Sequence, residues 1–149
     1  MKRRGFLAIA AVVAFIPAKA PAASGAHIEV YKSPACGCCG KWAEYLRQSG
    51  FSVSVNEIRD LPGFRTRSGI PKALASCHTA IVDGYVVEGH VPASDIWSLL
   101  RNRPKALGLA VPGMPSGSPG MDAPHAEPYD VLLVQADGTT RVFRSYPRT

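Results

Sequence analysis

Three of the chain's four cysteines fall within one short stretch, Cys36-Gly37-Cys38-Cys39, followed at once by Gly40-Lys41-Trp42. The cluster stands between a β-type run, His27-Ile28-Glu29-Val30-Tyr31, and a helix-type run. In that second run Trp42, Tyr45 and Leu46 share a face, and Gly50 ends the helix. The sulfurs are therefore carried at a strand-to-helix turn. There the unpaired N–H groups and the dipole of a helix favour thiolate over thiol. Thiolate is both the nucleophile of disulfide exchange and the ligand of soft metals, so the chain points to redox chemistry, metal chemistry, or both.

The remaining periodicity fixes an α/β order. Phe51 to Val55 alternates with period two, as a half-buried strand does. Leu61 to Ser68 reads as a short helix that opens at Pro62 and closes at Gly69, with a turn over Pro71 to Ala75. Thr79–Val82 and Tyr85–Glu88 flank Asp83-Gly84 as a β-hairpin with a two-residue turn. Ser94 is expected to cap a helix over Asp95–Asn102, with Ile96, Trp97, Leu99 and Leu100 inward and Pro104 as the stop. Gly108 to Pro128 reads as a long Gly/Pro loop, and Val131–Val134 with Thr140–Phe143 as a second hairpin about Asp137-Gly138. This order predicts an α/β, thioredoxin-like fold over residues 26–104: a mixed four-stranded sheet flanked by helices, its first two strands parallel through a right-handed crossover. A Gly/Pro/Met loop (105–128) and an appended C-terminal β-hairpin (129–146), packed on the same domain, complete it.

With 149 residues the chain has room for one domain with a real core. Residues 1–22 stand apart from that core. Met1-Lys2-Arg3-Arg4 is basic, Gly5 to Ile16 is apolar, and small residues follow from Ala18, the layout of a secretory signal peptide cleaved after Ala22 or Ala23. Arg3-Arg4-Gly5-Phe6-Leu7 also resembles a twin-arginine signal core. The apolar run falls short of the ~20 residues of a membrane span, which argues against an uncleaved anchor. Export to the periplasm is expected, with no membrane span after signal removal. Of the formal net charge of +6, the charges of Lys2, Arg3, Arg4 and Lys19 all lie in this segment. What remains has no basic stripe for nucleic acid. Arg101, Arg103 and Lys105 read as a solvated helix end.

An exported chain meets conditions that oxidise spare thiols. A bridge inside the cluster would close a tiny loop and stabilise little. One structural bridge from the cluster to Cys77 stays open as a reading, but staples alone do not account for three adjacent cysteines. Cys36 and Cys39 have the Cys-x-x-Cys spacing of thioredoxin-type redox centres. Cys38 would invite scrambling there, whereas in a metal site it is a further donor suited to Cu(I), zinc or iron–sulfur. In a thioredoxin-like fold Cys77-His78, just before a strand, would meet the N-terminus of the first helix. His90 follows the hairpin as a ligand or a strand-end polar residue. Met114 and Met121, with His125 behind them, lie in a polar loop; a thioether there is a soft ligand for Cu(I) or simply loop filler. Asp122 and Glu127 read as solvated. No hydrolase triad, phosphate-binding glycine loop or catalytic carboxylate pair is present in the sequence.

Tyr31-Lys32-Ser33-Pro34-Ala35-Cys36-Gly37-Cys38-Cys39-Gly40-Lys41-Trp42 resembles the opening of the CopG family of exported copper-resistance proteins. Ser76-Cys77-His78-Thr79-Ala80, Gly84 to Pro92 and the Gly113–Met121 loop extend the resemblance over nearly the whole mature chain. It implies a periplasmic, thioredoxin-like protein that binds copper through the Cys-x-Cys-Cys motif and serves in copper oxidation–reduction or transfer under copper stress. Cys36, Cys38, Cys39 and Cys77 are the implied ligands, with His78 or His90 nearby.

Three readings follow. In the first the protein holds Cu(I), able to cycle with Cu(II), in a mononuclear or multinuclear thiolate cluster, with Met114 and Met121 covering the site or handing copper to other envelope copper-handling proteins. In the second it is a thiol–disulfide oxidoreductase, an enzyme with Cys36 as nucleophile and Cys39 as resolving thiol. The third is an iron–sulfur carrier, matched by four cysteines but not by the methionines and histidines.

Overall fold

The computed structural model describes residues 25–147, so the signal peptide expected over residues 1–22 lies outside the described residues. β1 (His27–Lys32) leads through the cysteine turn into α1 (Cys38–Gln48) and back to β2 (Ser52–Glu57). α2 (Leu61–Arg67) and a single 3-10 turn (Lys72–Leu74) follow. Then come the hairpin of β3 (His78–Val82) and β4 (Tyr85–Glu88), α3 (Ala93–Asn102), β5 (Gly108–Ala110), β6 (Tyr129–Val134) and β7 (Thr140–Tyr146).

Local chemistry explains most of these boundaries. α1 buries Cys39, Trp42, Ala43 and Leu46, the spacing of one helical stripe. Gly50, at a φ of +92°, turns the chain out of it. In α2 the Asp60 carboxylate accepts the Gly63 N–H at 2.8 Å and Pro62 occupies the first turn. Asp83 and Gly84 both have positive φ, as the two-residue hairpin turn between β3 and β4 requires. Ser94, the expected cap of α3, lies two residues too far in. Pro92 is the N-cap, and its carbonyl accepts the N–H groups of Asp95 and Ile96. Its extended backbone already has the conformation an N-cap needs.

The strands form one seven-stranded mixed sheet in the order β2-β1-β3-β4-β5-β6-β7. β1 is parallel to β2 and β4 to β5; the other neighbours are antiparallel. The expected four strands occupy one half of it. The C-terminal hairpin is not appended to them but continues the same sheet, because β5 bridges β4 and β6. This strand escaped the sequence reading because it is three residues long and opens on a glycine inside a Gly/Pro-rich stretch. The glycine is required: a Cβ on Gly108 would stand 1.7 Å from the Val86 carbonyl oxygen. At the far edge, the β6–β7 register slips between Val131 and Leu132, a β-bulge.

Alternation along the strands sends two kinds of side chain to two faces. Ile28, Val30, Ala80, Val82, Val87, Leu109 and Leu133 pack with Trp42 and Leu46 of α1 and Ile96 and Leu99 of α3. Their chain neighbours Val86, Ala110 and Val134 pack on the opposite face with Ile70 and Leu74. The same rule places His78 on the α1 face and Thr79 on the α2 face.

Gly108→Ala is expected to destabilise the protein by about 3 kcal/mol by forcing β5 away from β4. Urea unfolding checks this: the midpoint falls in the variant, whereas an unchanged midpoint would mean that the close approach at Val86 is not needed.

Candidate metal centre

β1 ends at Lys32, and the turn Ser33–Gly37 delivers the cysteines to the start of α1; the Cys36 N–H bonds to the Ser33 carbonyl at 3.0 Å. Cys38 is the first helical residue and Cys39 the second. From across the sheet, the segment before β3 brings Cys77 to the same place. The four sulfurs lie within 4.8 Å of one another. Cys36 and Cys39 are joined in a disulfide, while Cys38 and Cys77 are free thiols. The Cys38 sulfur is 3.5 Å from that of Cys36 and 3.7 Å from that of Cys77. The bridge from the cluster to Cys77, left open by the sequence, is thus not formed: the disulfide joins the Cys-x-x-Cys pair. Cys39 is wholly buried and its partner Cys36 faces a cleft of about 610 Å³ that Cys38, Cys77, Arg59, Leu61 and Met114 also line.

A second group shares Cys77. Its sulfur is 3.0 Å from Nε2 of His90 and 3.3 Å from Nδ1 of His78. Both imidazoles are fully buried. Nδ1 of His90 lies 2.6 Å from the Pro119 carbonyl oxygen, which can only accept, so this nitrogen carries the proton and Nε2 turns its lone pair toward the sulfur. The His78 ring lies against Trp42, tilted by 33° with centroids 4.3 Å apart, and its Nε2 is buried with no hydrogen-bond partner among the described residues.

The electrostatics keep this side of the site neutral. Burial, and then the neighbouring Cys38, push the Cys77 thiol up to about 12. Cys77 reaches the site from the segment before β3 and not from the start of a helix. Burial, reinforced by His90, lowers His78 from its ordinary 6.5 to about 3, and burial also lowers His90. Both rings are uncharged donors at neutral pH.

Of the residues singled out in the sequence, Cys36, Cys38, Cys39, Cys77, His78 and His90 converge. Met114, half exposed, stands at the cleft mouth. Met121 is not among the cleft-lining residues; its N–H and carbonyl pin the loop through Ser118 and Gly117. His125 is exposed, as are Asp122 and Glu127, which pair with Lys41 and the Ser116 N–H. The loop reaches the site through the Pro119 carbonyl, which no side-chain motif announces.

Sequence reasoning also missed Arg65 and Glu88. Glu88 is fully buried at the end of β4. One carboxylate oxygen accepts from Arg65 Nε (2.7 Å), the Ser76 N–H (2.7 Å) and the Ser76 hydroxyl (2.8 Å). The other accepts from the Thr79 hydroxyl at 2.5 Å, and Arg65 Nη2 donates to the Ser76 carbonyl at 2.7 Å. The available signal was a carboxylate closing an apolar strand, Tyr85-Val86-Val87-Glu88.

Because His78 is held neutral below its ordinary pKa, the unfolded chain binds a proton there that the native protein refuses. Stability present above pH 6.5 is lost as pH falls toward about 3, at up to ~1.4 kcal/mol per pH unit. Between pH 6.5 and 5, where carboxylates contribute little, melting of the metal-free protein is expected to drop steadily and the drop to shrink in His78→Gln. An identical slope in the variant would contradict the assignment.

Two solved structures are similar to this chain. "Copper resistance protein copG- Form 1" is 41% identical with a TM-score of 0.78, over 83% of this chain and 98% of that one. "Copper resistance protein copG- Form 2" is 41% identical with a TM-score of 0.79, over 83% of this chain and 99% of that one. A family model described as "Protein of unknown function, DUF411" matches residues 74–121, which hold Cys77, His78, His90, Met114 and Met121. A comparison with curated protein sequences gives no match.

Proposed function

The chain belongs to the family of the copper resistance protein CopG, and from that membership we propose that it is a periplasmic copper-binding protein of copper resistance, holding Cu(I) on Cys36, Cys38, Cys39 and Cys77. The observation that carries the reading is the meeting of four sulfurs from two distant segments. Thiolates are soft donors that select Cu(I), and four of them can bridge more than one ion in a multinuclear cluster. Residues 1–22, with their signal layout, support export to the periplasm. We take the β2-β1-β3-β4 half of the sheet as a thioredoxin-like core; its support is the strand order, the antiparallel β3, and the cysteines at the head of α1.

The disulfide sets the capacity of this site. With Cys36 and Cys39 joined, two thiols face copper. Addition of two electrons and two protons frees two more. Each thiol that ligates copper gives up its proton, so affinity rises with pH until that thiol is ionised; for Cys77 this extends to about 12. Copper redox follows from the same sulfurs. Cys38 and Cys77, 3.7 Å apart, can pass one electron to each of two Cu(II) ions as they join in a disulfide and release two protons. Met114, at the cleft mouth, is placed to meet copper on its way to or from another envelope copper-handling protein. His78 and His90 stand beside Cys77, and Met121 holds the loop that orients His90.

One observation favours a second reading, the thiol–disulfide oxidoreductase. The Cys36–Cys39 bridge has the polarity of an exchange centre, with Cys36 toward the cleft and Cys39 buried behind it. It leaves Cys38 and Cys77 without a role.

Anaerobically reduced protein mixed with excess Cu(I) and desalted is expected to retain two or more copper ions per chain, by about the stoichiometry four bridging thiolates allow. Cys38→Ser and the disulfide-closed protein are expected to retain fewer. No copper retained by the reduced protein would replace this reading with the oxidoreductase one.

A further inference from the structure

The cleft beside the disulfide carries a charge that copper binding leaves unused. Cys36 faces this cleft and Cys39 is wholly buried, so a reagent from solution meets the bridge at the Cys36 sulfur. Arg59 and Arg65 line the cleft, and no acidic side chain does. Arg65 is matched by Glu88 at 2.7 Å. Arg59 is exposed, and its guanidinium makes no hydrogen bond or ion pair among the described residues. We propose that the cleft binds a small aliphatic thiol bearing a carboxylate, of the kind a short cysteinyl peptide presents. Arg59 receives the carboxylate while the thiolate opens the Cys36–Cys39 bridge.

Size, charge and anchoring support this. A volume of about 610 Å³ is that of a small-molecule site, which favours a short peptide thiol over the surface of a protein. Leu61, Pro62 and Met114 offer an apolar wall to its carbon chain. A cleft lined by one sign of charge concentrates ligands of the other sign, and a guanidinium fork matches a carboxylate. The position of Arg59 is fixed on both sides. Before it, the Ile58 N–H bonds to the Lys32 carbonyl at 2.9 Å. After it, the Asp60 carboxylate caps α2 through the Gly63 N–H at 2.8 Å. Asp60 also pairs with Arg67 at 3.4 Å, so this neighbouring acid is already engaged and leaves Arg59 for a ligand.

The reaction is thiol–disulfide exchange. The bound thiolate attacks the Cys36 sulfur. A sulfur–sulfur bond forms between them, the Cys36–Cys39 bond breaks, and Cys39 leaves with the electron pair and takes up a proton. The Cys77 carbonyl oxygen, 3.6 Å from the Cys39 sulfur, accepts the S–H that results. A second thiolate then attacks the sulfur of the first, the small disulfide departs, and Cys36 takes up a proton. Two small thiols are oxidised to one disulfide, and their two protons end on Cys36 and Cys39. The inference rests on the copper reading only for the use of the opened bridge, since it names the chemistry that supplies the two electrons.

The test follows opening of the bridge in metal-free protein by glutathione, by neutral 2-mercaptoethanol and by cationic cysteamine. Each rate is divided by the thiolate concentration and by the rate of the same thiol on a small neutral disulfide. Glutathione is expected to lead the neutral thiol about fivefold, in the range of one exposed ion pair, and cysteamine to trail it. Arg59→Gln is expected to abolish that lead, and Arg141→Gln, on β7, to keep it. On the unaltered chain the lead is expected to shrink as salt rises to about 0.5 M. Equal normalised rates, or a lead that survives in Arg59→Gln, overturn the inference. Acid quenching part-way and peptide mapping are expected to find glutathione on Cys36, and an adduct on Cys39 instead overturns it. Opening by a protein dithiol and by none of the small thiols also overturns it. A glutathione lead with no Cu(I) retained by the opened protein upholds this site and overturns the four-sulfur reading. Copper retained with no glutathione lead overturns this site and leaves that reading standing.

Discussion

The buried carboxylate of Glu88 decides where Cys77 stands. An unpaired carboxylate at full burial would be untenable, and four donors plus the Arg65 charge make it stable. Two of those bonds, with the Arg65 bond to the Ser76 carbonyl, seize one residue by its N–H, its hydroxyl and its C=O. The next residue is Cys77. A loop that would otherwise be free to swing is thus fixed to the end of β4, and the sulfur it carries is held over the head of α1. Such a pair adds little net stability against an apolar alternative, but removing one partner leaves a buried charge and costs about 3–5 kcal/mol. Its value here is positional.

Sheet alternation does the rest. Thr79 points to the α2 face and completes the clamp, while His78, one residue earlier, points to the α1 face and meets Trp42. One step along β3 therefore separates the residue that anchors the site from a residue that belongs to it. The Gly/Pro loop after β5 crosses the head of α1 and supplies a carbonyl to His90. Three separate segments meet at one sulfur, and none of them carries the site alone.

Much of this was legible in the sequence because it rests on local rules. The cysteine spacing after a β-run, the Asp83-Gly84 hairpin turn and the stripe of Trp42 and Leu46 each depend on residues a few positions apart. The approach of Cys77-His78 to the cluster follows from the expected order of elements, whereas that order leaves His90 either a ligand or a strand-end polar residue. What escaped depends on distant partners. β5 is a strand only because β4 and β6 lie on either side of it. Glu88 matters because Arg65 and Ser76 surround it. The thioethers of Met114 and Met121 are what the sequence shows of that loop, whereas the part of it touching His90 is the backbone of Pro119. Ser94 had the right side chain for a cap, but the backbone of Pro92 had the right conformation two residues earlier.

The bulge between Val131 and Leu132 has a consequence at the rim of the molecule. β7 is an edge strand, with one side of its backbone unpaired among the described strands. It carries Arg141 and Arg144, and Arg144 reaches Asp95 on α3 at 2.5 Å. A twisted, cationic edge is a poor template for the strand of a second molecule. For a chain with two reduced thiols such resistance to stacking matters doubly, since molecules that stayed in contact would have time to cross-link through sulfur. The far margin of the sheet, remote from every cysteine in sequence, thereby shortens the contact in which those thiols could cross-link.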